Sequence, residues 1–336
     1  MTEVRATIKE LRNYNNVLII GPYPPPLGGV SVHIYRLHKI LHNSVVLDVS
    51  DKKKINLLKK LLFENYDAVH LHSYDIRITL LLMLLKHIKG FDIIATSHNS
   101  RLFVKKNKII KFINVRFFNY INTLIVVSKH ILDDYRERKI KLPKKIIVES
   151  AFLPPPLEEE NQILKSYPKE LFDFLEKFDH TIAANAFRIV FYKNEDLYGL
   201  DLCVELMNLL KTNGHKNIGF IFALADENVN NEYFQKIKRK IKELGIENNF
   251  YFLTGQRELW PLFKKVKLMI RPTNTDGYSI SIMEAAYFDC PTIASDVCVR
   301  PSETIIFKNR DVHDLYIKVS EVLKLNIEYE TSDSEF

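Results

Sequence analysis

Two carboxylates eight residues apart carry the densest chemistry in the chain. Asp276 and Glu284 lie in the stretch Arg271-Pro-Thr-Asn-Thr-Asp-Gly-Tyr-Ser-Ile-Ser-Ile-Met-Glu284. The apolar run 266–270 before it reads as a buried strand, and 280–288 reads as a helix packed through Ile282, Ala285, Ala286 and Phe288. The stretch is therefore a strand, a polar loop and a helix start, with Asp276 in the loop and Glu284 in the helix. Gly277 lets the backbone approach a ligand closely. Ser279 or Ser281 can cap the helix, whose first N–H groups have no partner within it. Such a terminus attracts phosphate. Carboxylates beside it are badly placed for phosphate and well placed to accept hydrogen bonds from sugar hydroxyls. The set suits a ligand with an anionic middle and hydroxylated ends, such as a nucleotide-sugar. The alternative is an ordinary strand–helix connection in any α/β domain.

A second set stands near the N-terminus. Residues 17–20 read as a strand, 21–29 as a stiff proline-rich loop ending in Gly28 and Gly29, and 30–41 as a helix. This is a nucleotide-type Rossmann opening, but it is not GxGxxG and is a weak dinucleotide signal. The glycine pair lets backbone amides come near an anion or a sugar; a simple turn is the alternative. Residues 67–72 read as a third strand, whose alternation puts His70 and His72 on one face. His-x-His can bind zinc, but no nearby Cys or carboxylate completes a set, so the pair reads as a polar strand end and no metal is expected. The strand 93–98 ends in His98, where α/β sheets put their sites; a surface imidazole is the alternative.

These residues carry a resemblance. Asp276…Glu284-Ala285-Ala286, followed by Pro291-Thr-Ile-Ala-Ser-Asp296, resembles the acidic-x7-acidic motif of retaining glycosyltransferases of family 4, which have the GT-B fold. Gly-Pro-x-Pro-Pro-x-x-Gly-Gly at 21–29 resembles the N-terminal motif of that family, and Val-Val-Ser-Lys at 126–129 resembles its pattern late in the first domain. The flanks Arg-Pro-Thr-x-Thr-Asp-Gly and Ser-Asp-Val-x-x-Arg-Pro resemble a bacterial polysaccharide-assembly branch. The resemblance implies an α/β chain of two facing Rossmann-like domains with the site in the cleft between them. It implies transfer of a sugar from a UDP- or GDP-linked donor to an acceptor hydroxyl, with no metal and no other cofactor. Carried onto this sequence, it gives Glu284 to the nucleotide ribose, Asp276 and His98 to the donor sugar, and the amides around Gly277, Tyr278 and Ser279 to phosphate. Gly28 and Gly29 lie near donor and acceptor, and a residue around Gly255 meets the base or ribose.

The sequence also departs from the family. The first acid is usually Glu. Tyr198-Gly199 stands where Lys-Gly is usual, and Asn185-Ala186 stands near the usual Gly-Arg. The missing pair holds the donor diphosphate, so Arg188, Lys193 and Arg271 are the candidate replacements. A fold that binds sugar or a partner without turnover is the second reading, and a nucleotide-sugar epimerase the third, though no matching proton-transfer motif is present.

The 336 residues favour two domains. We divide them into an acceptor domain over 1–155, a donor domain over 156–310 and a terminal segment over 311–336, whose helix could cross back to the first domain. Residues 1–14 read as a loose tail, 80–88 as a buried helix, and the acidic last residues as disordered. Residues 1–160 hold 26 Lys and Arg against 15 Asp and Glu; the remainder hold 22 against 26. A basic first half suits an anionic surface. Residues 101–119 interleave basic and apolar side chains and could lie on an anionic membrane or form an ordinary core-facing helix. No nucleic-acid-binding motif is present. Three scattered cysteines, no secretory signal and no long apolar run give a cytoplasmic expectation, with peripheral attachment at the membrane's inner face.

Overall fold

The computed structural model describes residues 5–25, 27–49, 55–98, 108–277 and 279–325. The chain divides into two compact units, Met1–Leu153 and Pro154–Phe336. The division falls at the start of the Pro154-Pro155-Pro156 run, two residues before the expected boundary.

The first unit alternates strands and helices. Its elements are α1 (Ala6–Leu11), β1 (Val17–Gly21), α2 (Gly29–Ile40), β2 (Ser44–Asp48), α3 (Ile55–Phe63), β3 (Ala68–Leu71), α4 (Ile76–Lys89), β4 (Asp92–Ser97), α5 (Lys108–Phe117), β5 (Thr123–Val126), α6 (Lys129–Glu137) and β6 (Lys145–Val148). The six strands are parallel in the order β2-β1-β3-β4-β5-β6. A parallel sheet needs cover on both faces, which is why β1, β3 and β5 are buried along their whole length. Strand order reverses between β1 and β3, so the crevice beyond their C-terminal ends is the place where such a sheet takes ligands.

Two expectations fail in this unit. Residues 5–14 are not a loose tail. Helix α1 buries Ile8 and Leu11 against β1 and α2 residues, and Glu149 accepts from the Ala6 and Thr7 amides at 2.8 and 3.1 Å. One carboxylate thus satisfies two of the orphan N–H groups of a short helix. Helix α4 is not buried all round either. Ile78, Leu82 and Leu85 face the core, while Leu80, Leu84 and Ile88, one turn apart, are exposed.

The second unit contains α7 (Glu160–Lys165), α8 (Lys169–Lys177), β7 (His180–Arg188), the short hairpin β8 (Phe191–Tyr192) and β9 (Glu195–Asp196), α9 (Leu200–Thr212), β10 (Ile218–Asp226), α10 (Asn231–Glu243), β11 (Phe250–Thr254), α11 (Trp260–Phe263), β12 (Leu268–Arg271), α12 (Ile280–Tyr287), β13 (Thr292–Ser295), β14 (Ile305–Phe307) and α13 (Val312–Leu323). Its parallel six-stranded sheet runs β11-β10-β7-β12-β13-β14. Alternation along the strands builds two cores. Ile182, Ala184, Phe220 and Phe222 pack with α9, α10 and α13 on one face. Ala183, Ile221 and Met269 pack with Trp260, Ile282 and Ala285 on the other. Helix α13 packs on this unit, where Leu315, Val319 and Leu323 complete the first of these cores. Strand order reverses between β7 and β12.

Candidate active site

The β7/β12 switch point is built from charge. Arg271 ends β12, and its guanidinium Nη1 donates to the Asn185 carbonyl of β7 at 3.1 Å. From there its Nε donates to Asp276 at 3.1 Å, and Nη2 donates to the other carboxylate oxygen at 3.5 Å. Arg300 approaches the same carboxylate from the loop after β13, donating at 2.8 Å through a side chain only 2% exposed. Its remaining N–H groups go to the Ser295 carbonyl at 3.2 Å and the Thr273 hydroxyl at 3.2 Å. Ser295 in turn donates to the Thr273 carbonyl at 2.5 Å. Asp276 also accepts from Thr273 Oγ1 at 3.3 Å and from the Gly277 amide at 3.0 Å. Burial opposes ionisation of Asp276, but the charges and hydrogen bonds of Arg271 and Arg300 outweigh it and hold the carboxyl at about 2.

Asp276 is set deep in this network. Its two oxygens accept five hydrogen bonds from the protein itself, which is more than the roughly four acceptor sites of a carboxylate. The group holds two guanidiniums in place. Arg271 is likewise not a free cation. It is nearly buried, paired to Asp276, and packed under the Tyr198 ring at 5.1 Å.

Helix α12 follows directly. Ser279, not Ser281, is its cap: its hydroxyl accepts from the Ile282 amide at 3.5 Å. Glu284 sits on the second turn and is buried. A Cβ at Gly277 would meet no atom within 4 Å, so the protein itself does not demand a glycine there. Tyr278 lies outside the described residues.

The loop before α9 is packed onto this site. Gly199 has φ +69°, and a Cβ there would collide with the Pro272 carbonyl oxygen. The Asn274 amide donates to the Leu197 carbonyl at 3.0 Å. Asp196 accepts from the Tyr198 amide at 2.9 Å and the Leu200 amide at 3.2 Å. Burial and the nearby Asp201 push Asp196 up to about 6. The N-terminus of α9 is therefore occupied by an internal acid. Tyr198-Gly199 does stand beside the candidate site, with an aromatic ring in place of an ammonium.

The structure does not bring the other proposed cations into the cluster. Arg188 ends β7, exposed, over the Phe187 ring at 4.8 Å. Lys193 occupies the tip of the β8–β9 hairpin with φ 51°. Arg300 is the residue sequence reasoning missed as a site residue. The Arg-Pro after Ser295-Asp-Val was a signal, but nothing in it says that the side chain folds back 24 positions to Asp276.

In the first unit, Gly28 precedes α2 in an extended conformation, and its amide donates to Ser31 Oγ at 2.8 Å. Gly29 is the first residue of α2. His98 follows β4, half-buried, with its Nε2 3.1 Å from Nδ1 of His72. The basic segment expected at 101–119 is described only from 108 onward.

The family model described as Glycosyl transferases group 1 matches residues 174–331. Both units together resemble solved structures. Anabaena HepE in complex with UDP has a TM-score of 0.68 at 11% identity, covering 92% of this chain and 90% of that one. A glycosyltransferase from Rickettsia africae has a TM-score of 0.66 at 15% identity, covering 93% and 89%. A UDP-forming trehalose-phosphate synthase from Burkholderia xenovorans, in complex with glucose-6-phosphate, has a TM-score of 0.67 at 11% identity, covering 93% and 92%. No curated protein sequence matches. The likeness over both six-stranded sheets gives the chain the GT-B fold. The matched segment contains Arg271, Asp276, Glu284 and Arg300, and with that fold it supports a group 1 glycosyltransferase.

Proposed function

We propose that the protein transfers a sugar from a UDP- or GDP-linked donor to an acceptor hydroxyl, with retention of anomeric configuration. The observation that carries this reading is the Arg271–Asp276–Arg300 cluster at the β7/β12 switch point, ahead of a capped helix bearing Glu284. Two guanidiniums against one carboxylate leave one net positive charge beside a helix N-terminus. That charge and the α12 amides suit a diphosphate and stabilise it as it departs, so the transfer step requires no metal. Arg271 and Arg300 take the part left open by Tyr198, Asp276 is their positioning residue, and Glu284 takes the ribose. An assembled cation cluster favours turnover over the non-catalytic reading.

Calorimetric titration of wild type and Glu284→Ala with UDP, GDP and their sugars tests this. One nucleotide binds, and the substitution weakens it about tenfold, or about 1.4 kcal/mol. Failure of every nucleotide to bind overturns the donor site.

The acceptor is a glycan or lipid-linked hydroxyl met at an anionic membrane surface, in surface polysaccharide or glycoconjugate assembly. Helices α4 and α5 pack together. They expose Leu84 (61%), Ile88 (70%), Ile109 (70%) and Phe112 (69%) beside exposed Arg77, Lys108, Lys111 and Arg116. Apolar residues rimmed by cations suit an anionic lipid surface. No described helix is long and apolar enough to cross a membrane. Anionic vesicles sediment the protein and neutral ones do not, and Leu84→Ser with Phe112→Ser abolishes the difference.

A further inference from the structure

Four histidines meet at the switch point of the first sheet, and of these the family resemblance assigns only His98, to the donor sugar. His33 lies on α2, His70 in β3, His72 one residue beyond β3 and His98 one residue beyond β4. The ring centres of His33, His72 and His98 form a nearly equilateral triangle with sides of 5.3, 5.3 and 5.4 Å. One ring nitrogen from each lies within 4.8 Å of the other two. Three imidazoles bound tetrahedrally to one zinc ion, with Zn–N of about 2.0–2.1 Å, have ring centres about 5.2 Å apart. The observed triangle already has that size; turning the rings brings the nitrogens in.

One hydrogen bond at the triangle is that of an oriented ligand, and one lies within it: His98 Nε2 is 3.1 Å from His72 Nδ1, a contact that a bound ion would replace. His33 Nδ1 lies 2.6 Å from the Ala151 carbonyl and must donate to it, which places the lone pair on Nε2. That Nε2 is buried and has no hydrogen-bond partner, and so is Nε2 of His72. A backbone carbonyl on the far nitrogen is the usual way a metal-binding histidine is oriented. A buried polar nitrogen without a partner is otherwise destabilising. His70 packs against His72 with ring centres 4.1 Å apart and planes tilted by 49°, and is held by Thr96 at 2.7 Å, which braces the His72 ring. Gly21, at the end of β1, admits this packing: a Cβ there would collide with Ile34 and touch His72.

We propose that His33, His72 and His98 bind a divalent transition ion, zinc by preference. An all-imidazole set suits zinc and its neighbours over magnesium or calcium, whose preferred ligands are oxygens. Three protein ligands leave a fourth position for water or a substrate oxygen. The site does not rest on the glycosyltransferase reading.

The test uses the full chain, stripped with chelator and desalted, then titrated with Co²⁺ by visible absorption and with Zn²⁺ by calorimetry. The expected result is one ion per chain with the intense ligand-field bands of tetrahedral cobalt, displaced by zinc. His33→Ala and His98→Ala each weaken zinc binding at least about tenfold and remove the bands. His98 is only half-buried, so His98→Ala decides if His33→Ala does not fold, with circular dichroism of the metal-free chain checking both. Wild type without tetrahedral bands, or zinc affinity unchanged in a folded His98→Ala variant, overturns the site.

Discussion

The two sheets place their reactive residues by the same rule and fill the place with opposite chemistry. Each gathers side chains beyond the C-terminal strand ends where strand order reverses, between β1 and β3 in one unit and between β7 and β12 in the other. In the second unit the groups are charged and survive burial through one another: Arg271 and Arg300 hold Asp276 ionised. In the first unit the cluster among the described residues is made of imidazoles, and burial disfavours their protonation. Desolvation acts on both sets. It is overcome where opposite charges lie within hydrogen-bond reach, and it prevails where only bases meet.

The contrast makes acid the largest lever. Burial lowers His33 to about 4 and His70 to about 3 from an ordinary 6.5, and His72 and His98 fall as well. The unfolded chain therefore takes up protons first. Stability of the first unit is full above pH about 6.5 and declines as pH falls towards 3, by several kcal/mol in all. Asp276 works lower down. Its folded value of about 2 contributes roughly 2–3 kcal/mol above pH about 4, lost between 4 and 2. Trp260, the one tryptophan, is buried in the second unit and reports on it alone. Circular dichroism of metal-free protein should fall between pH 6 and 4 while tryptophan fluorescence holds until below 4. Coincident transitions would break the comparison.

The next largest effect belongs to Arg300. Arg300→Met leaves Asp276 buried with one guanidinium and strips partners from Thr273 and Ser295, at a cost of about 3–5 kcal/mol. Urea unfolding followed at Trp260 measures it; a loss below about 1 kcal/mol would mean the cluster is not held by mutual pairing. Gly199→Ala is milder. It forces a side chain into φ +69° against Pro272 and should cost about 2 kcal/mol, read in the same way, with weaker nucleotide binding as the α9 loop shifts.

Much of the frame could be read from the chain alone. Apolar runs such as Val17–Gly21 and Leu268–Arg271 are strands because both faces of a parallel sheet are covered. The strand–loop–helix around Asp276 and a serine cap followed from local rules, though the choice of Ser279 over Ser281 did not. Other features were hidden for physical reasons. Helix α1 is six residues long and owes its order to Glu149, over 140 positions away. A leucine run such as 80–85 does not say which face lacks a neighbour. Strand β14 is three residues long, and the β8–β9 hairpin turns on Lys193 and Asn194 at positive φ without a glycine.

By itself the sequence determined the α/β alternation, the two units and the identity of the acidic loop, because each depends on periodicity, caps and turns within a few residues. Only the tertiary structure decided what the chemistry is made of. Arg300 reaches Asp276 across 24 positions, and His33, His72 and His98 converge from three elements. Burial then sets Asp276 among arginines and leaves the imidazoles uncharged. Charge and lone-pair availability depend on which side chains share a desolvated space, and that is a property of packing rather than of order along the chain.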